Sequence, residues 1–126
     1  MARTVIKAAK AAPAPPFYSH AVKCAGLVFV SGTAPHDPET GRITGKTVQE
    51  QTAACLRNIA AILEAAGTSL DKAVSATVIL AEGAELADVN EEWIKWFPVD
   101  PPARQGARLP VKVPGLLVSI AMIAEA

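Results

Sequence analysis

Between residues 47 and 66, apolar and small side chains return every three or four positions, at Thr52, Cys55, Leu56, Ile59, Ile62, Leu63 and Ala66. That period predicts a helix with one buried stripe. Thr47 followed three residues on by Glu50 offers a reciprocal N-terminal cap, and Gly67 supplies the stop. A stripe of this width needs a flat apolar partner, and the segments on either side read as strands. Residues 4–7 suit a short edge strand. Residues 20–24 and 27–31 suit a hairpin turning at Ala25-Gly26, and residues 72–80 a β-branched strand. The run AAPAPP (11–16) is too proline-rich for a helix or a central strand, and TAPHDPETGRITG reads as a long surface loop. A second helix is expected over residues 83–97, with Leu86, Val89, Trp93 and Trp96 or Phe97 inward, stopped by Pro98, Pro101 and Pro102. Residues 103–111 and 116–124, turning at Pro114-Gly115, complete the chain as an expected hairpin.

The predicted order β-β-β-α-β-α-β-β describes a single α+β domain over residues 1–126, with a mixed sheet and two helices on one face. Two helices cover only one face of such a sheet. Residues 27–30 and 116–123 are nevertheless apolar or small on both faces, in a chain that is 51% apolar. The economical cover is another copy of the chain packed sheet to sheet, with ligand sites at the seams.

Charge narrows the partners. Twelve basic and twelve acidic residues balance, with no run of like sign, which argues against a nucleic-acid surface. MARTVIKAAKAAPAPP lacks a signal-peptide core, and no run approaches the ~18 apolar residues of a membrane span. A soluble, cytoplasmic chain with no membrane partner is expected. Cys24 and Cys55 make neither a metal spacing nor a disulfide framework and read as buried free thiols. His20, His36 and Asp37 do not form a zinc spacing. No nucleophile elbow or glycine-rich phosphate loop is present.

The chemistry-bearing stretch is PPARQGARLPVKVPG. In an extended segment Arg104, Gly106 and Arg108 share one face, and Gln105, Ala107 and Leu109 the other. An arginine in a buried seam needs a carboxylate or a ligand anion. No acidic residue adjoins Arg104 in sequence, and Gly106 leaves open space, which suggests a pocket for a small carboxylate. A surface arginine paired with Asp100 or Glu82 is equally consistent with these residues. Tyr18, Ser19 and His20 in PPFYSHA form either a pocket wall or the start of an edge strand.

FYSHAVKCAGLVFVSGTAPHDPETG, QTAACLRNIAAILEAAGTSLDKAVSATVIL, ADVNEEW and PPAR together resemble the reactive intermediate deaminase family (RidA, also called YjgF), from about Pro16 to Ala124. The resemblance implies a chorismate-mutase-like fold and a homotrimer with sites in the clefts between subunits. It implies hydrolysis of imines and enamines to 2-oxo acids and ammonia without metal or organic cofactor. It carries the family's carboxylate-binding arginine onto Arg104, its pocket tyrosine onto Tyr18, its pocket asparagine onto Asn90, and the glycine of Val-Ser-Gly onto Gly32.

Two positions depart from the pattern. Gly106 stands where many active members carry cysteine, and Ser119 where they carry a glutamate in the last strand. Serine can orient water but is no general base near neutral pH. Three readings follow. The first is a deaminase in which Arg104 orients the carboxylate, Ser119 holds water and His20 serves as a base. The second is a hydrolase for a larger dicarboxylate that Arg108 helps to grip. The third is a ligand-binding or chaperone-like homologue. The endoribonuclease label borne by some relatives fits the neutral charge least.

Overall fold

The computed structural model describes residues 2–110 and 112–126. The periodic segment forms helix α1 (Val48–Ala65). Thr47 Oγ1 accepts from the Glu50 N–H at 3.1 Å, and Glu50 Oε1 accepts from the backbone N–H groups of Lys46 (3.2 Å) and Thr47 (3.1 Å). These bonds, that from Lys46 first, hold the Glu50 carboxyl below its ordinary value. The Glu50 half of the cap is therefore intact above the usual carboxylate range and weakens only as pH falls through the lowered value, while the Thr47 half does not titrate. At the other end Gly67 adopts φ +86°, with its N–H on Glu64 O and that of Thr68 on Leu63 O. This is a Schellman stop, and its left-handed residue favours glycine.

Strands β1 (Thr4–Ile6), β2 (Ala21–Cys24), β3 (Leu27–Thr33), β4 (Ala73–Ala81), β5 (Ala103–Leu109) and β6 (Val118–Glu125) form one sheet in the order β1-β2-β3-β6-β4-β5. The β2–β3 turn has positive φ at Ala25 (54°) and Gly26 (77°), the left-handed pair expected of a two-residue hairpin. The α1 stripe packs on β3 and β6. It meets a layer of Val28, Val30, Ala76, Val78, Val118, Ile120 and Met122, all buried. Helix α2 (Leu86–Trp96) packs beside α1 and adds Val89, Trp93 and the following Phe97 to the same core. No helix of the described residues is long and apolar enough to cross a membrane.

Three expectations are corrected. Residues 103–109 do not pair with β6 as a hairpin. β5 runs parallel to β4, and β4 lies between β5 and β6. α2 supplies the crossover that a parallel pair requires, so the unit is β-α-β; the expected strand end at Val111 lies outside the described residues. Leu86 is exposed rather than inward: it is the first residue of α2, and the buried row Val89–Trp93–Phe97 begins one turn later. Cys24 is only partly buried. Cys55 is buried, its Sγ 3.5 Å from Val118 O, and burial pushes its thiol far above the ordinary value.

Two buried amides fasten α1 to the loops. Gln51 Nε2 donates to Gly45 O (3.1 Å) and Gly115 O (2.7 Å), while its Oε1 accepts from Leu117 N–H (2.8 Å). Asn58 Oδ1 accepts from Ala12 N–H (3.0 Å), and its Nδ2 donates to His36 O (2.8 Å). The far face of the sheet, including Leu27, Phe29, Thr77, Ile79, Ser119, Ala121 and Ile123, carries no helix of the described residues.

Gln51→Leu keeps most of the volume but strands Leu117 N–H and two carbonyls. Urea unfolding is expected to show a loss of about 1–3 kcal/mol for the stranded groups.

Candidate functional site

The parallel register sets Arg104, Gly106 and Arg108 beside Ala76, Val78 and Leu80, and Gln105, Ala107 and Leu109 beside Thr77, Ile79 and Ala81. The two arginines thus share the face that the helices cover, at the edge where α2 stands. Arg104 Nη2 donates to Asn90 Oδ1 at 2.6 Å. Its Cζ lies 5.1 Å from the centroid of the Trp93 ring, within cation–π reach. Trp93 is itself buried against Phe97, with ring centroids 4.8 Å apart. Asn90, Trp93, Ile94, Phe97 and Pro101 line a hollow beside the guanidinium.

Arg104 pairs with neither Asp100 nor Glu82. The ion pairs among the described residues are Lys95–Glu92 and Arg108–Glu85. A guanidinium has five N–H donors, and one bond from Arg104 is made to a side chain, so an open fork beside an apolar hollow remains. This arrangement can bind a planar anion.

Arg108 is differently placed. Its Nη2 donates to Ala84 O (2.7 Å) and lies 3.7 Å from Glu85 Oε2, which ties it to the start of α2. Gly106 leaves no void. A Cβ there would stand 2.9 Å from Val78 O, so the expectation of room beside Arg104 is corrected: the backbone of β4 occupies that space. Ser119 sits on the uncovered face, beside Ile79 on β4 and level with Ala107 on β5, and so on the face opposite Arg104.

A second group gathers near the other edge of the sheet, where Tyr18, His20, Ser31 and Gly32 line a common hollow. A register shift between Val30 and Thr33 marks the bulge that carries Ser31 and Gly32. Ser31 Oγ donates to Ser19 O at 2.6 Å, fixing the Tyr18 segment to β3. Space beside Gly32 is open, and Tyr18 is 53% exposed. His20 is fully engaged: Nδ1 accepts from Ala8 N–H (3.1 Å) and Nε2 donates to Ala12 O (2.7 Å). These partners fix the Nε2–H tautomer, and the lone pair a base would need faces the Ala8 N–H.

The chain therefore brings Arg104 to Asn90, and separately Tyr18 to His20 and Gly32. β3 and β5 stand three strand spacings apart, roughly 14 Å, beyond the span of one small ligand. Arg108 and Ser119 join neither group. Sequence reasoning missed Trp93 as a partner of Arg104, although its i, i+3 spacing from Asn90 puts both on one helix face. It also missed Gln51 and Asn58, whose polarity is hidden in the helical stripe. Among the described residues, no three His, Cys, Asp or Glu side chains cluster as a metal cage would require.

Residues 8–126 match the family described as endoribonuclease L-PSP. A RutC family protein of Saccharolobus solfataricus is 40% identical over 111 residues, covering 86% of each chain. The 2-iminobutanoate/2-iminopropanoate deaminase of Bos taurus is 34% identical over 124 residues, covering 98% of this chain and 90% of its own. Among solved structures, E. coli TdcF with bound serine superposes with a TM-score of 0.89 at 28% identity, over 98% of both chains.

The contact at Gly106 makes one direct expectation. Gly106→Ala should be destabilised by about 1–3 kcal/mol in thermal or urea unfolding, since the clash is with backbone and not with a movable side chain.

Proposed function

The chain belongs to the endoribonuclease L-PSP family, the RidA, YjgF and RutC proteins, and from that premise we propose that it is an imine deaminase working at a seam between two copies. The substrate in this reading is a small 2-imino carboxylic acid, or the enamine that tautomerises to it. Water adds to C2, the nitrogen takes up a proton, and the C–N bond breaks to leave a 2-oxo acid and ammonia.

The observation that carries the reading is the Arg104 fork, held by the neutral partners Asn90 and Trp93 beside an apolar hollow. Such a group binds a carboxylate through charge-assisted bonds and fixes the adjacent C2. The bovine relative is named for two small 2-imino acids, and the E. coli neighbour's structure contains serine, an amino acid with a carboxylate. Both are consistent with a small carboxylate ligand.

A single chain holds only half of such a site at each edge. Packing the uncovered sheet face against a second copy can bring the Tyr18–Gly32 edge of one chain to the Arg104 edge of the next. A closed homotrimer would use the interface three times. Ser119, on that uncovered face, is then available to hydrogen-bond the attacking water, with the Tyr18 hydroxyl closing the pocket. His20 is a pinning residue for residues 8–12 in this account, not the base. The dicarboxylate reading has less support, because Arg108 is already engaged by Glu85 and Ala84 O.

Ammonia release from freshly generated 2-iminopropanoate tests the activity. Wild type should exceed the uncatalysed rate. Arg104→Ala should lose about 1.5–3 kcal/mol of binding per charge-assisted bond removed. A rate unchanged in that variant would remove the central claim. Binding of the 2-oxo acid without turnover would favour the ligand-binding role instead.

The seam has its own test. Tyr18→Ala and Arg104→Ala should each be nearly inactive alone. Refolded together in equal amounts, they should recover about a quarter of wild-type activity, the share of seams that unite two intact edges. No recovery would place the site within one chain.

A further inference from the structure

Every residue of β5 is exposed, yet the Arg104 side chain is held on two sides. The guanidinium carbon Cζ lies over the Trp93 ring, 5.1 Å from its centroid, and Asn90 Oδ1 takes one N–H at 2.6 Å. Both holders come from α2, one helical turn apart. Trp93 is only 6% exposed and rests on Phe97, so it is a fixed platform and not a mobile cover. Neither holder carries charge.

We propose that α2 acts as a neutral bracket that presets Arg104 for an incoming carboxylate, with Trp93 as a positioning residue and Asn90 as the group that aligns the fork. The inference rests on the carboxylate-binding reading above and assigns a distinct role to each of the two holders. A free arginine at a strand edge samples many rotamers, and binding must then stop that motion. A bracketed one has lost it already. Because Asn90 and Trp93 are neutral, the full positive charge is left for the ligand. An aspartate at position 90 would hold the fork equally well but occupy it as a counter-ion.

The ligand-free protein gives the first measurement. In proton–nitrogen spectra of the arginine Nε–H groups, the Arg104 signal is identified by its loss in Arg104→Ala. The bracket requires that signal to lie upfield of the other arginines, shielded by the indole ring, and to move back towards them in Trp93→Leu. An Arg104 signal among the exposed arginines in wild type would overturn the proposal.

Titration with 2-oxobutanoate gives the second. Trp93→Leu should weaken binding about 2–5-fold, the equivalent of ~0.5–1 kcal/mol for an exposed cation–π contact. In turnover, KM should rise with kcat nearly unchanged. Trp93→Phe, which keeps a ring in the core, should restore most of the affinity. Asn90→Asp should abolish binding at neutral pH while the Arg104 signal stays upfield. Unchanged affinity in Trp93→Leu or in Asn90→Asp would sink the bracket. If wild type neither binds 2-oxobutanoate nor hydrolyses 2-iminopropanoate, the deaminase reading fails, and the ligand-free spectrum still decides whether the bracket exists.

Discussion

Two helices can seal one face of a six-stranded sheet, and most of this structure is a consequence of that limit. α1 lies across β3 and β6 and is fixed there by its apolar stripe and by the hydrogen-bonded amides of Gln51 and Asn58. Each amide is satisfied at both ends, which is what makes its burial tolerable. Together they tie the 12, 36, 45 and 115–117 loops to a single rigid element. α2 then has the remaining flank, beside β5. Leu27, Phe29, Ile79, Ala121 and Ile123 are left on a face that no helix of the described residues covers.

The same limit divides the chemistry. Residues that could meet a ligand sit where the helical layer ends: Arg104 at the α2 flank, Tyr18 just before β2, and Gly32 near the end of β3. At one edge the guanidinium has no anion among the described residues to neutralise it. At the other, a hollow lined by Tyr18 and open space beside Gly32 offers shape and a phenol but little charge. Each half lacks what the other has. Joining them across a seam would desolvate Arg104, which is unfavourable unless an anion arrives, so that ligand binding and seam formation would support one another.

Much of the fold was legible because its signals are local. The 3.6-residue period, the Thr47–Glu50 box and Gly67 define α1 without reference to anything else, and Ala25-Gly26 defines the hairpin. The pairing of β5 was not legible. A strand following a turn-rich stretch reads as a hairpin partner, and only the intervening α2 makes a parallel pairing with β4 possible. In the site, the alternation of Arg104, Gly106 and Arg108 was readable, since period two is a backbone property. What Gly106 touches was not, because Val78 O is brought there by the pairing that sequence reasoning missed. Arg108 shows the same limit: its partners Ala84 and Glu85 lie over twenty residues away in sequence and meet it only through the β-α-β unit.

The absence of a carboxylate at Ser119 changes what the pocket must supply on the deaminase reading. Imine hydrolysis needs water delivered to C2 and a proton at nitrogen, and general acid–base assistance typically contributes 10²–10⁴-fold. A full positive charge held beside the substrate carboxylate can supply part of that assistance electrostatically. An arginine neutralised by a protein carboxylate would not supply it, whereas one held by Asn90 and Trp93 keeps its charge directed at the substrate. A carboxylate gripped by that charge donates less electron density to C2, which makes the carbon a better target for water. Orientation by Ser119 then has an electrophile to work on, and the neutral character of the bracket offsets part of what a missing base would have provided.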